Sequence, residues 1–381
     1  MADSGEQTNR SSRLAVASLP RSAADEQRAR STPGAIAQAH DSGQMIKVTA
    51  LTGSKHDPSS RFRIRQFIRP LRAHGVNAAE YWPLISRYKI EPLPWLVAGM
   101  RVPGLLASRI SNVTWLGREL ISGQFSFENL AGRKRVFDVD DAIWMPYRSN
   151  LGMDFSAEIV EHCSGVIAGN RYLAEHYEKL GAKVWLVPTS VDTDAWKPAP
   201  ETKGGKWTIG WTGSWANLKF LDAIEEPLAD FLGRHSDSRL LIVCDRPPSF
   251  KKLPPGSWEF VPWSMENEVS LVQQMDVGLM PLEDSEWALG KCGFKMLSYM
   301  AVGLPVVVSP VGVNAEILAR GELGFAARSN GDWYEALEHL YETQEAGAQM
   351  GSTGRQVVEE YYSVRTNIVK LADIFREVSD S

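Results

Sequence analysis

Two lysines four residues apart, Lys291 and Lys295, are the clearest candidates for chemistry in this sequence. A helix beginning in this segment would place both side chains on one face, close to its amino end. The amino end of a helix is positive and favours acids, so two cations there are unfavourable unless an anion joins them. Free backbone N–H groups together with two lysines would suit a diphosphate. The spacing alone is equally compatible with a solvated lysine pair that binds nothing.

A helix and a buried strand must position these lysines. Phe294, Leu297 and Ala301 recur at intervals of three and four residues, which predicts one apolar helical face. Gly303 is typical of a helix end. The unbroken β-branched run at residues 306–308 predicts a strand that is covered on both faces.

The segment at residues 298–307 resembles the nucleotide-sugar half of glycosyltransferase family 4, in its bacterial polysaccharide-type subset. In that family the helix ends in Glu-Ala-Met-Ala, followed by a small residue, Gly, any residue and Pro-Val-Val, and here Met300, Ala301, Gly303 and Pro305 occupy matching positions. The resemblance extends through most of residues 45–376. It implies the GT-B fold, an α/β architecture of two Rossmann-like parallel-sheet domains that face an interdomain cleft.

The same resemblance implies an activity. We expect a hexosyl-type glycosyltransferase that moves a sugar from a nucleotide-diphosphate sugar to a glycan or a lipid-linked acceptor. The family retains the anomeric configuration and uses no metal for the donor, so no metal and no further cofactor are expected. Lysines would then stabilise the leaving diphosphate in place of a metal.

The chain departs from the family at two positions. The family usually carries two glutamates separated by seven residues, and the match places Gly290 and Ser298 at those positions. Ser298 could offer the donor ribose one hydrogen bond without a charge, and we expect Lys291 and Lys295 to bind the donor phosphates. The loss of both glutamates motivates an alternative, a non-catalytic GT-B protein that binds a nucleotide sugar or a partner enzyme. A sugar-nucleotide epimerase with the same fold is a third interpretation.

The sequence divides into four predicted parts. Residues 1–44 are rich in Ala, Ser, Arg and Gln and predict a disordered tail. Residues 45–197 predict an N-terminal Rossmann-like acceptor domain, and residues 205–355 a C-terminal Rossmann-like domain that binds the nucleotide sugar. Residues 356–381 predict a final helix that packs back on the first domain.

A second phosphate-binding element is predicted after the first strand of the C-terminal domain. Gly213 and Ser214 follow an apolar strand and precede a helix, an arrangement that suits phosphate binding. In the family an Arg stands where Ser214 lies, and a Lys follows a few residues later. Lys219 loosely matches that Lys, so Gly213, Ser214 and Lys219 join the predicted donor site.

Arginines open the first helix of the N-terminal domain. Arg61 and Arg63 follow Ser60 in a Ser-Arg-Phe-Arg segment that is similar to the bacterial subset, which predicts contact with an anionic ligand. A solvated arginine face is the alternative on pattern alone.

Three acids are candidates for catalysis. Asp140 and Asp141 follow a predicted strand and are expected to face the cleft, while Glu283 lies in an acidic loop just before the lysines. Capping and loop hydrogen bonds explain each aspartate equally well, and a solvated loop explains Glu283. No residue is identified as a nucleophile.

Composition narrows the classes of partner. A net charge of −5 without a basic stripe predicts no nucleic-acid binding. Three scattered cysteines predict no disulfide framework and fit a reducing cytoplasm. No apolar run is long enough to predict a spanning helix. Residues 81–110 are apolar and aromatic, and their prolines predict several short pieces; this region could contact the inner face of the cell membrane, although packing against the sheet is the favoured interpretation.

Overall fold

The computed structural model describes residues 45–84, 94–145, 154–199 and 205–381. These residues form two α/β domains, each built on a six-stranded parallel sheet. The predicted α/β class with two parallel sheets is confirmed. The predicted tail at residues 1–44 lies outside the described residues.

The first sheet has the order β2-β1-β3-β4-β5-β6. Its strands are β1 (Ile46–Leu51), β2 (Val76–Tyr81), β3 (Val113–Gly117), β4 (Arg135–Val139), β5 (Gly165–Ala168) and β6 (Val184–Leu186). Its helices are α1 (Gln66–Leu71), α2 (Pro94–Arg109), α3 (Phe155–Glu161) and α4 (Arg171–Lys179). A π-helical segment, Ser60–Arg65, leads into α1, and 3-10 turns lie at Arg72–His74 and Glu128–Leu130.

The second sheet has the order β12-β11-β10-β7-β8-β9. Its strands are β7 (Trp207–Thr212), β8 (Ser238–Cys244), β9 (Trp258–Pro262), β10 (Val277–Met280), β11 (Val306–Val308) and β12 (Gly324–Ala326). Its helices are α5 (Leu218–Asp222), α6 (Glu225–Arg234), α7 (Glu268–Val272), α8 (Glu286–Leu289), α9 (Phe294–Ala301), α10 (Val313–Leu318), α11 (Asn330–Glu342) and α12 (Gln344–Val357). A 3-10 turn at Trp215–Asn217 precedes α5.

The chain ends in a helix that returns to the first domain. A π-helical segment, Val358–Tyr362, joins α12 to α13 (Val364–Asp380). Helix α13 packs with α1 on one face of the first sheet, where the ring centroids of Trp115 and Phe375 lie 5.0 Å apart. Helices α2, α3 and α4 contribute to the apolar cluster on the other face. Burial of both faces explains why the strands of this sheet are so apolar.

Helix α2 corrects one prediction. Prolines were expected to break residues 81–110 into short pieces, but Pro94–Arg109 is one helix of 16 residues with Pro103 inside it. The helix lies close to the sheet at Gly104, where an added Cβ would lie 2.7 Å from Leu51 Cδ2. Packing of this kind outweighs the intrinsic cost of an interior proline. Within the described residues, no helix is long and apolar enough to cross a membrane.

Candidate functional site

The lysine segment lies at the carboxyl edge of the second sheet. Strand β7 pairs with β8 on one side and with β10 on the other. Successive strands are therefore added to one side of β7 and then to the other, and the strand order reverses between β7 and β10. Ligands of open parallel sheets bind outside the carboxyl ends of the strands at such a switch point. The turn after β7, the loop after β10 and the amino end of α9 all come from this edge.

The amino end of α9 is open to a ligand. Its preceding residue, Gly293, has a left-handed φ of 70°, and no side chain caps the helix. A Cβ at Gly293 would lie 2.7 Å from Val313 Cγ1, so both the backbone conformation and the packing require glycine. Among the described residues, no side chain accepts a hydrogen bond from the first N–H groups of the helix, which leaves these groups available to an anion.

Lys295 points from the first turn of α9 towards the end of β7. Its Nζ lies 4.6 Å from the ring centroid of Trp211. A Cβ at Gly213 would lie only 3.0 Å from Lys295 Nζ. Among the described residues, none forms an ion pair with it. Burial, together with the charge of Lys291, lowers the pKa of Lys295 to about 7. Lys295 is thus half-buried and has no counter-ion within the part of the chain that the structure describes.

Lys291 lies in the loop before α9 and faces the first domain. Its Nζ is 5.1 Å from the ring centroid of Trp287, and within the described residues it too has no ion-pair partner. Its charge acts on Asp141 at the end of β4. Burial raises the pKa of Asp141, and the charges of Lys291 and Arg118 oppose that shift. The structure therefore brings a predicted donor-binding lysine close to a predicted catalytic acid.

The other predicted residues of this edge are more exposed. Lys219 Nζ lies 3.9 Å from Glu283 Oε2, with side chains 64% and 58% exposed. This pair joins the start of α5 to the loop after β10. Ser214 is exposed, and its Oγ accepts a hydrogen bond from Asn217 Nδ2 at 2.9 Å.

The chain is similar to known glycosyltransferases in sequence and in fold. Residues 206–343 match the family described as Glycosyl transferases group 1. Anabaena HepE, solved with UDP and glucose, is 13% identical with a TM-score of 0.64, and the match covers 87% of this chain and 99% of that chain. The chain has the GT-B fold of glycosyltransferases. No curated protein sequence matches it.

Two further GT-B structures show the same likeness. Sucrose-phosphate synthase from Thermosynechococcus elongatus is 12% identical with a TM-score of 0.66, covering 87% of this chain and 99% of that chain. WaaG, a glycosyltransferase involved in lipopolysaccharide biosynthesis, is 14% identical with a TM-score of 0.63, covering 86% and 99%. The predicted GT-B fold is confirmed.

The two predicted arginines of the first GT-B domain already have acidic partners. Arg61 forms a bidentate ion pair with Glu268 at the start of α7, so it bridges the two domains. Arg63 Nε donates to Asp138 Oδ1 at 2.8 Å, and both side chains are nearly inaccessible to solvent. Contact of either arginine with an anionic ligand stays a prediction.

The remaining predicted residues have local partners. Asp140 Oδ1 accepts a hydrogen bond from Ser59 Oγ at 2.8 Å. Ser298 is buried, and its Oγ donates to Lys295 O at 2.7 Å within α9. Gly290 lies against the first domain, because a Cβ there would be 2.5 Å from Ala142 Cβ. The position that usually carries the family's first glutamate thus has no room for a side chain.

The sequence analysis missed three residues that organise the site. Tyr299 on α9 accepts a hydrogen bond from Thr212 N at 2.8 Å, which ties the helix to the end of β7. The ring of Trp211 lies beneath Lys295, and its buried Nε1 has no acceptor among the described residues. Asn170 contacts the lysine loop from the first domain. Position at the end of a predicted strand was the one signal available for Trp211 and Asn170. Among the described residues, no group of three or more His, Cys, Asp or Glu could hold a metal ion.

Proposed function

We propose that this protein is a retaining glycosyltransferase that transfers a sugar from a nucleotide-diphosphate sugar to a glycan or a lipid-linked acceptor. One observation carries the proposal: at the switch point of a GT-B domain, two lysines stand beside an uncapped helix end and have no ion-pair partner among the residues that the structure describes. The UDP and glucose bound to HepE support a nucleotide sugar as the donor.

The lysines have a defined role in this proposal. As the bond between the sugar and the diphosphate breaks, negative charge grows on the leaving diphosphate. Lys291, Lys295 and the N–H groups of α9 stabilise that charge, so the reaction needs no metal ion at the donor. Gly213 and Ser214 line the same edge, and Lys219 reaches it from α5. The helix fixes the N–H groups of α9 before the donor arrives, so they stabilise the charge with little reorganisation.

The acids of the cleft are proposed to serve the acceptor and the transferred sugar. Asp141 lies near Lys291, and we place an acceptor hydroxyl beside it. Burial raises the pKa of Asp141, which favours a proton exchange with that hydroxyl. Asp140 is its neighbour on the same loop. Glu283 lies in the loop after β10, paired with Lys219, and is proposed to accept a hydrogen bond from a hydroxyl of the transferred sugar.

Contact with the inner face of the cell membrane is also part of the proposal. Val102, Leu106 and Ile110 are 46%, 60% and 84% exposed and recur every four residues along and just beyond α2. An exposed apolar stripe of this kind supports binding at a membrane surface that presents a lipid-linked acceptor. In a vesicle flotation assay, Leu106→Ser/Ile110→Ser should float less than wild type. Equal flotation of both proteins would remove this part of the proposal.

A non-catalytic GT-B protein is the second candidate. Gly290 and Ser298 stand where glycosyltransferase family 4 usually has glutamates. The Ser298 hydroxyl donates its hydrogen bond to Lys295 O within its own helix. Such a protein would bind a nucleotide sugar and transfer nothing. Tight donor binding without hydrolysis or transfer to a broad set of glycan and lipid-linked acceptors would favour this candidate.

The decisive experiment is a thermal-shift screen of UDP, GDP, ADP, CDP and their sugars. Wild type is compared with Lys291→Ala/Lys295→Ala, and Lys251→Ala/Lys252→Ala serves as a control that removes two lysines elsewhere. A ligand that binds only the folded state raises the melting temperature by mass action. We expect one diphosphate to stabilise wild type and the control, with at least about a hundredfold weaker binding by the double variant, since hydrogen bonds to charged groups contribute about 1.5–3 kcal/mol each.

Two results would contradict the proposal. Wild type could fail to bind any diphosphate, or the double variant could respond as strongly as wild type. Product analysis by NMR then tests retention, because a retaining enzyme yields the anomeric configuration of its donor.

A further inference from the structure

The loop that carries Lys291 is held by a side chain of the other domain. Asn170 follows β5 in the first domain, and its Nδ2 donates to Leu289 O at 3.1 Å and to Lys291 O at 3.0 Å. Its Oδ1 accepts from Leu173 N at 2.8 Å and so caps α4. Asn170 is 4% exposed. One amide therefore anchors a helix of its own domain and two carbonyls of the second domain.

The two hydrogen bonds from Asn170 to Leu289 O and Lys291 O form a clamp on the lysine loop. The other residues of this loop also pack closely against the first domain. Gly290 lies between the two clamped carbonyls and has no room for a Cβ beside Ala142. Cys292 belongs to the apolar cluster of the first domain, and a Cβ at Gly169 would lie 2.5 Å from its Sγ. The loop at residues 289–292 is thus connected to the second domain by the chain and seated in the first domain by its contacts.

We infer that Asn170 is a positioning residue for the donor: it fixes the backbone of Lys291, so the diphosphate site is complete only when the first domain is closed on the loop. This inference rests on the proposed function. Lys291 has no ion pair among the described residues to fix it, so the position of its charge depends on its backbone. The affinity for the donor should therefore depend on the contact between the domains as well as on the lysine side chains.

The chemistry of the amide allows the two roles to be separated. Asn170→Asp keeps an oxygen that caps α4, because Asp and Asn are comparable at this position. It loses both N–H donors, and its carboxylate oxygens then face the carbonyls of Leu289 and Lys291. Asn170→Ala loses the cap and the clamp together. The Ser329 side chain caps α11 by accepting a hydrogen bond from Asp332 N. Ser329→Ala removes that cap and serves as the control for a lost helix cap far from the lysine loop.

The experiment measures binding of UDP, GDP and ADP by calorimetry for wild type and the three variants. We expect Asn170→Asp to bind the diphosphate at least about tenfold more weakly, the equivalent of one or two lost hydrogen bonds. Its melting temperature should also fall, because a buried carboxylate faces two carbonyls, so affinity is measured at a temperature where circular dichroism shows the variant folded. Asn170→Ala should lose both stability and affinity, while Ser329→Ala loses stability alone. In the ligand-free protein, amide hydrogen exchange at residues 289–293 should be faster in Asn170→Asp than in wild type.

Steady-state kinetics adds a readout that a structural role would not give. A smaller folded fraction lowers kcat and leaves KM for the donor unchanged, whereas a misplaced lysine raises KM. Wild-type affinity and KM in Asn170→Asp would overturn the inference and leave the proposed function standing. If wild type binds no diphosphate, the proposed function fails and the inference fails with it.

Discussion

The two domains each place cations at the start of a helix, and the structure treats them in opposite ways. Before α1, Arg61, Arg63 and Arg65 pair with Glu268, Asp138 and Glu80. Before and within α9, Lys291 and Lys295 lie on the rings of Trp287 and Trp211, and among the described residues no acid pairs with them. The arginines are compensated by carboxylates of the protein, and the lysines are the proposed contacts of a ligand.

The difference shows that the same sequence signal has two physical meanings. A cation at a helix start is unfavourable until an anion compensates it. At α1 the anions are carboxylates of the protein, so the arginine charges form ion pairs within the fold. At α9 the compensating anion is missing from the described protein, so binding of a diphosphate would relieve the repulsion between two neighbouring lysines.

Removal of Arg63, the most buried of the three arginines before α1, should have the largest effect. Arg63→Met would leave the Asp138 carboxylate buried with the Trp115 indole as its remaining partner. We expect the free energy of unfolding to fall by about 3–5 kcal/mol, because an uncompensated charge remains in the interior. Urea denaturation measures the change. The double variant Arg63→Met/Asp138→Asn should recover part of it, while Lys291→Met should change stability little. Equal costs for Arg63→Met and Lys291→Met would break the comparison.

Neutralising the interdomain partner should have a smaller effect. Glu268→Gln keeps an acceptor for the Trp263 indole, which donates to Glu268 Oε2 at 3.0 Å, but leaves Arg61 without its counter-charge. We expect a loss of about 1–3 kcal/mol in the free energy of unfolding and a larger radius of gyration by small-angle X-ray scattering. Glu283→Gln is the matched control, since its partner Lys219 is exposed. A compact, fully stable Glu268→Gln protein would show that this ion pair does not hold the domains together.

Proton uptake should accompany diphosphate binding at Lys295. Because the pKa of Lys295 is lowered to about 7, the free protein loses this charge as pH rises above that value, while the bound anion favours the cation. Affinity should therefore fall by up to about tenfold, or 1.4 kcal/mol, per pH unit between pH 7.5 and 8.5. Calorimetric titrations in that range measure the slope. Lys295→Arg, which stays charged, should bind with little pH dependence; an unchanged slope in this variant would assign the proton to another group.

The smallest effect on stability should come from the exposed pair of Lys219 and Glu283. Solvent screens this pair, so Lys219→Ala should change the free energy of unfolding by only about 0.2–1 kcal/mol. Its diphosphate affinity should nevertheless fall, because Lys219 is a proposed contact of the diphosphate. A double-mutant cycle with Glu283→Ala separates the pair energy from the effect on the ligand. Unchanged affinity would restrict the site to Lys291, Lys295 and α9.

Much of the scaffold could be predicted from local pattern. The apolar spacing of Phe294 and Leu297 predicted α9, and the valine run predicted β11, since periodicity and β-branching are properties of neighbouring residues. The two parallel sheets were implied by the resemblance to glycosyltransferase family 4. Local pattern failed at α2, where prolines indicated breaks and packing against the sheet maintained one helix.

The sequence by itself determined that cations stand at two helix starts, and the tertiary structure decided which of them are compensated. Arg61 meets a glutamate 207 positions away, and Asn170 meets the lysine loop across 119 and 121 positions. Such contacts depend on how the two sheets come together, which residue spacing does not encode. Charges and hydrogen-bond donors act over a few ångströms in space, and only the folded chain sets those distances.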